Sequence, residues 1–308
     1  MTSQHYGYWL RLASAAAVLA ALSMIIVKGY AWIETDSASV LASLTDSVFD
    51  ISVSIVNFFI VRYALIPADD DHRFGHGKAE SLAGLIQAAF LTGSAILLIF
   101  HSVGRLSHPM PIKNIDLGLS SIYFSIVITL ALVFIQYLAL KKTDSIAIKA
   151  DSMHYKGDLF MNLGVIAALY LSQAGYTSMD GWIAIFIALY LFYGAYEIGI
   201  ESIQSLMDRE LSYEEQQKIL TVTTNVDNVQ GLHDLRTRRS GGTVFIQLHL
   251  ELEDDLTLLQ AHNISEAVEH ALMAEFPLSD VLIHLDPISV VAGAKEKVSY
   301  NDGNSIIS

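Results

Sequence analysis

Acidic and imidazole side chains recur at helical spacing within two apolar stretches of the sequence. In the first stretch, Asp46 and Asp50 lie one helical turn apart on a stripe that also contains several serines. In the second stretch, His154 and Asp158 are again four residues apart. Three carboxylates and one imidazole form an oxygen and nitrogen ligand set that suits tetrahedral Zn²⁺. These four residues therefore predict a metal site between two helices.

The apolar surroundings of these carboxylates strengthen the prediction of a metal site. An uncompensated carboxylate costs roughly 3 kcal/mol at the centre of a membrane-spanning helix. A bound divalent cation offsets that cost, because the cation neutralises the acids and the acids replace its water. The alternative is a polar contact between packed helices, or a water-filled cavity, and neither requires a metal. Two matching pairs on two helices favour the metal site.

A second group of potential ligands lies just after the first apolar pair. Asp69, His72 and His76 fall within one short acidic segment, at steps of three and four residues. This spacing suits a short helix or a loop that wraps around an ion. A solvated acidic loop without any metal is the alternative.

A third group lies near the C-terminal end of the chain. His249 is on the polar side of a strictly alternating strand, and His284 and Asp286 share one side of a later strand. With His233 and His262, these side chains are predicted to meet at one or two metal ions on a polar sheet face. The alternative is a set of scattered surface histidines.

The elements that position the first group are predicted to be membrane helices. The sequence of 308 residues is 53% hydrophobic and only 16% charged, which is too apolar for an ordinary soluble domain. A membrane-spanning helix needs roughly 20 mostly apolar residues. Six stretches meet this requirement, and the fifth is the weakest because of its polar residues: 9–33, 40–66, 81–103, 115–140, 154–174 and 182–203.

Lys and Arg residues near the span ends predict the orientation in the bilayer. More of them fall at the N-terminus and in the loops between spans 2 and 3 and between spans 4 and 5 than on the opposite side. The positive-inside rule therefore places these segments, and both termini, in the cytoplasm. These features predict a multi-pass membrane protein in contact with membrane lipid.

The chain beyond the last span has the composition of a soluble domain. Ser212 is predicted to cap a helix, followed by a hairpin with a Gly241–Gly242 turn, an amphipathic helix and a third strand. The fold class is therefore membrane α-helical, with six transmembrane helices followed by a cytoplasmic α+β ferredoxin-like (αββαβ) domain. The predicted domains are residues 1–206 and 207–292, with a disordered tail at 293–308.

Composition and missing motifs exclude several classes of function. A net charge of −14 argues against nucleic acid as a partner. The sequence contains no GxxxxGK[ST] motif for ATP, no HExxH motif of zinc proteases and no GxSxG motif. It also contains no cysteine, so any metal is held by His, Asp, Glu or Asn.

Four segments resemble the cation diffusion facilitator family, and most closely its bacterial zinc and ferrous-iron efflux members. They are LTDSVFD at 44–50, DDDHRFGHGKAE at 69–80, ADSMHYKGD at 150–158 and HLDP at 284–287. The resemblance covers residues 1 to about 290 in order. It implies a homodimer that exchanges a cytoplasmic divalent metal for protons.

The family resemblance also implies a role for each group of ligands. The transport site would consist of Asp46, Asp50, His154 and Asp158, and a loop site would consist of Asp69, His72 and His76. A binuclear site that is structural or regulatory would consist of His233, His249, His262, His284 and Asp286. A salt bridge between Lys78 and Asp208 is also implied. The His at position 154 resembles that of the zinc-preferring subtype, with Cd²⁺ or Fe²⁺ as alternative substrates.

Taken together, the residues and the resemblance predict a secondary transporter rather than an enzyme. Zn²⁺ and H⁺ compete for the same lone pairs, which is the physical basis for antiport. Two readings remain open: a metal-gated channel without proton coupling, and a membrane-bound sensor whose intramembrane metal is structural. An intramembrane hydrolase is a weaker third reading, because no nucleophile or metal-activated-water motif is present.

Overall fold

The apolar blocks of the sequence form six long helices in the computed structural model, which describes residues 3–35, 38–107, 115–174 and 179–291. A helix bonds its backbone NH and CO groups internally, as a segment in lipid requires. The prediction of six helices is confirmed. Their bounds are α1 Ser3–Thr35, α2 Ala38–Ala64, α3 Ala79–Ser107, α4 Ile115–Thr143, α5 Ile146–Gln173 and α6 Met179–Leu206.

Five of these helices are long and apolar enough to cross a membrane, within the part of the chain that the structure describes. They are α1, α2, α3, α4 and α6. The remaining helix, α5, contains Asp151, Lys156 and Asp158 in its first half. This helix is also the weakest span that the sequence predicts. Its polar residues lower the mean hydropathy of the helix, and they are tolerated where they face the interior of a helix bundle.

The helices pack through small side chains. This is usual in lipid, where the hydrophobic effect does not drive helices together and close packing does. Helix α3 lies against α6, and α5 contacts α3, α4 and α6. Alanines of α3 and α6 interleave with larger residues in one buried cluster: Ala88, Leu91 and Ala95 with Leu191, Ala195 and Ile198. A second cluster joins α1, α4 and α5 through Ala17, Leu132 and Tyr155.

Gly84 of α3 packs closely against both α5 and α6. A Cβ atom at this position would lie 2.5 Å from Ile146 Cγ2 and 2.5 Å from Ser202 Oγ. The Ile146 side chain is branched at Cβ and has little freedom to move away.

We therefore expect Gly84→Ala to lower the free energy of unfolding by about 1–3 kcal/mol through overpacking. Thermal unfolding of the detergent-purified protein would measure this as a lower midpoint. Gly93 of the same helix has nothing within 4 Å of an added Cβ. Gly93→Ala is thus the matched control, with a midpoint that is unchanged or slightly raised because Ala is the better helix former. Equal midpoints for the two variants would contradict the close packing at Gly84.

The chain divides at Leu206, and a second compact unit begins at Met207. Its elements in order are α7 Tyr213–Thr224, β1 Gly231–Ser240, β2 Thr243–Leu252, α8 Leu258–Glu275 and β3 Ser279–Pro287. The predicted αββαβ order is confirmed. The predicted disordered tail, residues 293–308, lies outside the described residues.

The three strands form one sheet in the order β1-β2-β3. Strand β2 pairs antiparallel with β1 and parallel with β3, so α8 provides the crossover between the parallel strands. One face of β2 is buried against the two helices, in a core that includes Ile246, Leu248, Leu250, Ile219 and Leu272. The alternating pattern of β2 leaves His249 on the opposite face.

Local sequence determines where the helices of this unit begin. Ser212 and Glu215 form a capping box at the start of α7, as the sequence predicts for Ser212. Thr257 and Gln260 form the equivalent box before α8. Gly241, with φ of +55°, occupies the tight turn between β1 and β2.

Candidate metal centres

Three ligand side chains converge between α2 and α5, and we call Asp50, His154 and Asp158 the α2–α5 cluster. His154 Nε2 lies 3.2 Å from Asp50 Oδ1 and 3.7 Å from Asp158 Oδ2. One ligand atom of each residue lies within 4.8 Å of the other two. The His154 ring is mostly buried. An imidazole nitrogen between two carboxylates is a donor set that suits a divalent cation.

Asp46, the fourth predicted ligand, lies outside this cluster. Asp46 is exposed and lies one helical turn before Asp50 on the same face of α2. Its carboxylate still interacts electrostatically with those of Asp50 and Asp158. The structure therefore brings three of the four predicted residues together, and the role of Asp46 as a ligand stays a prediction.

A hydrogen bond beside the cluster holds α2 and α5 in register. Ser54 Oγ and Tyr155 Oη are 2.7 Å apart, and the Tyr155 hydroxyl is also within 3.4 Å of the Ala17 carbonyl of α1. Tyr155 follows His154 directly and is fully buried. Sequence reasoning did not identify Tyr155, because an aromatic residue in an apolar helix is ordinarily part of the core.

Asp151 shares the helix α5 with His154 but is bound elsewhere. Its carboxylate accepts hydrogen bonds from Gln136 Nε2 of α4 at 2.7 Å and from Gln87 Nε2 of α3 at 3.4 Å. The Asp151 side chain is fully buried. These amide donors compensate its charge and connect α3, α4 and α5 one turn before the cluster.

The loop between α2 and α3 brings Asp69, His72 and His76 together, and we call them the loop cluster. Their ligand atoms lie within 4.8 Å of one another. Asp69 Oδ1 accepts the backbone NH groups of His72 at 2.6 Å and Asp71 at 3.0 Å. The first of these bonds is the main cause of a lowered pKa for Asp69, so its carboxylate stays ionised and available at neutral pH.

His76 is oriented for binding by its other ring nitrogen. Its Nδ1 lies 3.2 Å from the Ile66 carbonyl, which can only accept, so Nδ1 bears the proton. The lone pair of Nε2 then faces Asp69 Oδ2 at 3.4 Å. Two acceptors at this distance require a proton or a metal ion between them. The loop cluster thus fits a metal by the chemistry of its donors.

The polar face of the sheet gathers His233 of β1, His249 of β2, and His284 and Asp286 of β3, and we call these four the sheet cluster. Asp286 is at its centre. Its Oδ2 lies 2.7 Å from His249 Nδ1 and 3.4 Å from His233 Nε2, and its Oδ1 lies 3.3 Å from His284 Nε2. His249 and His284 are direct partners in the parallel register. One carboxylate surrounded by three imidazoles is a donor set that fits Zn²⁺.

Two acidic residues that sequence reasoning missed support the sheet cluster. Glu251 Oε1 lies 2.9 Å from His233 Nδ1, and an ionised carboxylate there holds the proton on Nδ1 and leaves Nε2 free for a metal. Asp234 Oδ2 lies 3.7 Å from His249 Nε2. Asp234 occupies a β-bulge after His233, with φ of +47°, which redirects its side chain. Glu251 lies two residues after His249 on β2 and therefore on the same face, so strand alternation could have identified it. Nothing in the sequence indicates the bulge at Asp234.

His262 and the predicted salt bridge are not part of these clusters. His262 is exposed on α8, and it is absent from the ligand groups found among the described residues. Lys78 donates to the Leu206 carbonyl at 3.3 Å, and Asp208 accepts from Arg238 at 3.3 Å. The assignment of His262 to the metal site and the Lys78–Asp208 pair both stay predictions.

Comparisons with known proteins identify the class of protein that this fold and these clusters define. The family of cation efflux transmembrane domains matches residues 14–207, and that of cation efflux protein cytoplasmic domains matches residues 211–288. The chain is thus a membrane transporter and not an enzyme. It belongs to the cation diffusion facilitator, or cation efflux, family, whose members transport divalent metal cations.

Relatives of high identity cover nearly the whole chain. It is 50% identical over 289 residues to the cation-efflux pump FieF of Shewanella oneidensis, covering 94% of this chain and 97% of the relative. It is 46% identical over 294 residues to FieF of Klebsiella pneumoniae, covering 96% and 98%. Among solved structures, the zinc form of CzrB is 32% identical, with a TM-score of 0.25, covering 26% of this chain and 92% of that one.

Asp286 allows a direct test of the sheet cluster. Because its carboxylate contacts all three imidazoles, we expect Asp286→Ala to weaken zinc binding at this cluster by about 100-fold. Competition with a chelating dye, using the full chain, would measure the loss. Asp280→Ala is the matched control, since Asp280 is exposed on the same strand and should leave affinity unchanged. Equal zinc affinity in the two variants would count against a metal at this cluster.

Proposed function

We propose that this chain exports Zn²⁺ from the bacterial cytoplasm across the inner membrane, in exchange for protons. The observation that supports this most directly is the α2–α5 cluster, in which His154 lies within 3.7 Å of the carboxylates of Asp50 and Asp158. Ionisable residues inside membrane helices are rare and commonly mark the pathway of a substrate or an ion, which supports the proposal. Asp46, one turn away, would complete the ligand set as the site changes conformation.

The donor types favour zinc as the substrate. Imidazole and carboxylate suit a borderline cation such as Zn²⁺, and four such donors match its tetrahedral preference. Cd²⁺ and Fe²⁺ accept the same ligands and are the alternative substrates. The FieF relatives are named as cation-efflux pumps, which agrees with export of a divalent metal.

Proton coupling follows from the chemistry of the ligands. Metal binds to deprotonated carboxylate and to a neutral imidazole nitrogen, so each Zn²⁺ that enters displaces protons. Protons that reach the same lone pairs from outside expel the metal there. Alternating access of one site to the two sides, by movement of helices, converts this competition into antiport.

The orientation in the membrane and the assembly are proposed from two separate observations. The excess of Lys and Arg at the N-terminus and in two loops supports cytoplasmic termini. The match of residues 211–288 to the cation efflux cytoplasmic domain supports a homodimer. Within each protomer the sheet cluster would hold Zn²⁺ that is structural or regulatory.

Zinc flux into proteoliposomes tests the transport site. We expect Asp50→Ala and His154→Ala each to reduce pH-driven zinc flux to the background of empty liposomes, because each removes a ligand from the cluster. Ser52→Ala is the control on α2, since Ser52 is exposed and its hydroxyl donates to the Val48 carbonyl of its own helix. Wild-type flux in both site variants would refute the assignment. Flux that ignores the pH gradient would indicate a channel instead, and stoichiometric zinc binding without flux would indicate a sensor.

The role of the sheet cluster can be separated into stability and regulation. The double variant His233→Ala, His284→Ala removes two of its imidazoles while leaving the α2–α5 cluster intact. For a regulatory site, thermal stability without zinc should match the wild type, while zinc flux should require a higher zinc concentration. If zinc no longer raises the thermal midpoint and zinc flux is unchanged, the sheet cluster has a structural role only.

A further inference from the structure

A lysine lies inside the first membrane helix, beside the proposed transport site. Lys28 falls within the apolar stretch Gln4–Glu34 of α1 and is half-buried. A lysine near the end of a span can ordinarily extend its side chain to the lipid headgroups. Lys28 instead points to α2, where its Nζ donates to Ser47 Oγ at 2.8 Å and to the Ser43 carbonyl at 3.3 Å.

These two acceptors place the ammonium on the metal-binding face of α2. Ser43, Asp46, Ser47 and Asp50 form one polar stripe, because they are spaced at three and four residues. The positive charge of Lys28 interacts electrostatically with the carboxylates of Asp50, Asp158 and Asp46. Three acids from two helices and one cation from a third helix therefore share one polar region.

We propose that Lys28 is a counter-charge that sets the formal charge of the transport site to match one divalent cation. The inference rests on the proposed transport site. Asp46, Asp50 and Asp158 contribute −3 and Lys28 contributes +1, which leaves −2 with a neutral His154. One Zn²⁺ then makes this set of five side chains neutral.

The counter-charge has two consequences for transport. A metal-bound site with no net charge has the lowest electrostatic free energy in a low-dielectric region. Neutrality therefore favours the conformational change that carries the bound metal across the membrane. The ammonium is a donor without a lone pair, so it does not coordinate the metal but repels it. Lys28 therefore lowers the affinity for zinc and speeds its release.

Neutral and charged replacements at position 28 test this inference. Lys28→Gln removes the charge but keeps a donor for Ser47, and Lys28→Met is a second neutral variant in case the first assembles poorly. Lys28→Arg keeps the charge and is the matched control. Zinc is titrated into the full chain in detergent at pH 8, where competition from protons is small. The transport site is identified as the binding step that Asp50→Asn abolishes.

The proposal predicts opposite changes in affinity and turnover. The neutral variants should bind zinc at least about tenfold more tightly at this step, because a repulsive charge is lost. Their maximal zinc flux in proteoliposomes should fall by a similar factor, while Lys28→Arg stays close to the wild type. Unchanged or weaker binding in both neutral variants, with the Asp50-dependent step intact, overturns the role of Lys28 alone. The absence of any Asp50-dependent step in the wild type would instead overturn the transport site itself.

Discussion

Carboxylates within membrane helices need a cation or hydrogen-bond donors beside them, and much of this structure follows from that need. Asp50 and Asp158 face the imidazole of His154, while Lys28 approaches the same region from α1. Asp151 is compensated differently, by two amide donors from neighbouring helices. Asp50 contacts His154 of α5, and Asp151 contacts Gln87 of α3 and Gln136 of α4, so these acids also connect neighbouring helices.

The same principle recurs in water-accessible parts of the chain with a different consequence. In the loop cluster and the sheet cluster, His76 and His233 each direct one nitrogen to an acceptor and the other to a carboxylate. Facing acceptors repel unless a cation lies between them. In the membrane Lys28 adds a further donor beside the ligands, whereas in these two clusters the facing acceptors need a metal or a proton between them.

How much of this could be predicted depends on whether a feature is local. Helix periodicity places His154 and Asp158 on one face, and strand alternation places His249 on the polar face, so the sequence alone identifies both. It does not give the rotation of α2 relative to α5, which leaves Asp46 outside the cluster. Nor does it give the bulge at Asp234 or the reach of Lys28 to Ser47, because these depend on pairing between distant segments.

The orientation of His76 has a kinetic consequence. Its ring is packed edge-on against Tyr63, with centroids 4.6 Å apart, and its Nδ1 proton is committed to the Ile66 carbonyl. The side chain of His76 is 3% exposed, whereas that of the neighbouring Asp69 is 48% exposed. At the proposed loop site, a metal ion would therefore meet the exposed carboxylate of Asp69 first and the oriented lone pair of His76 second. Capture needs no tautomer exchange or ring flip, so its rate is governed by how quickly the ion sheds water.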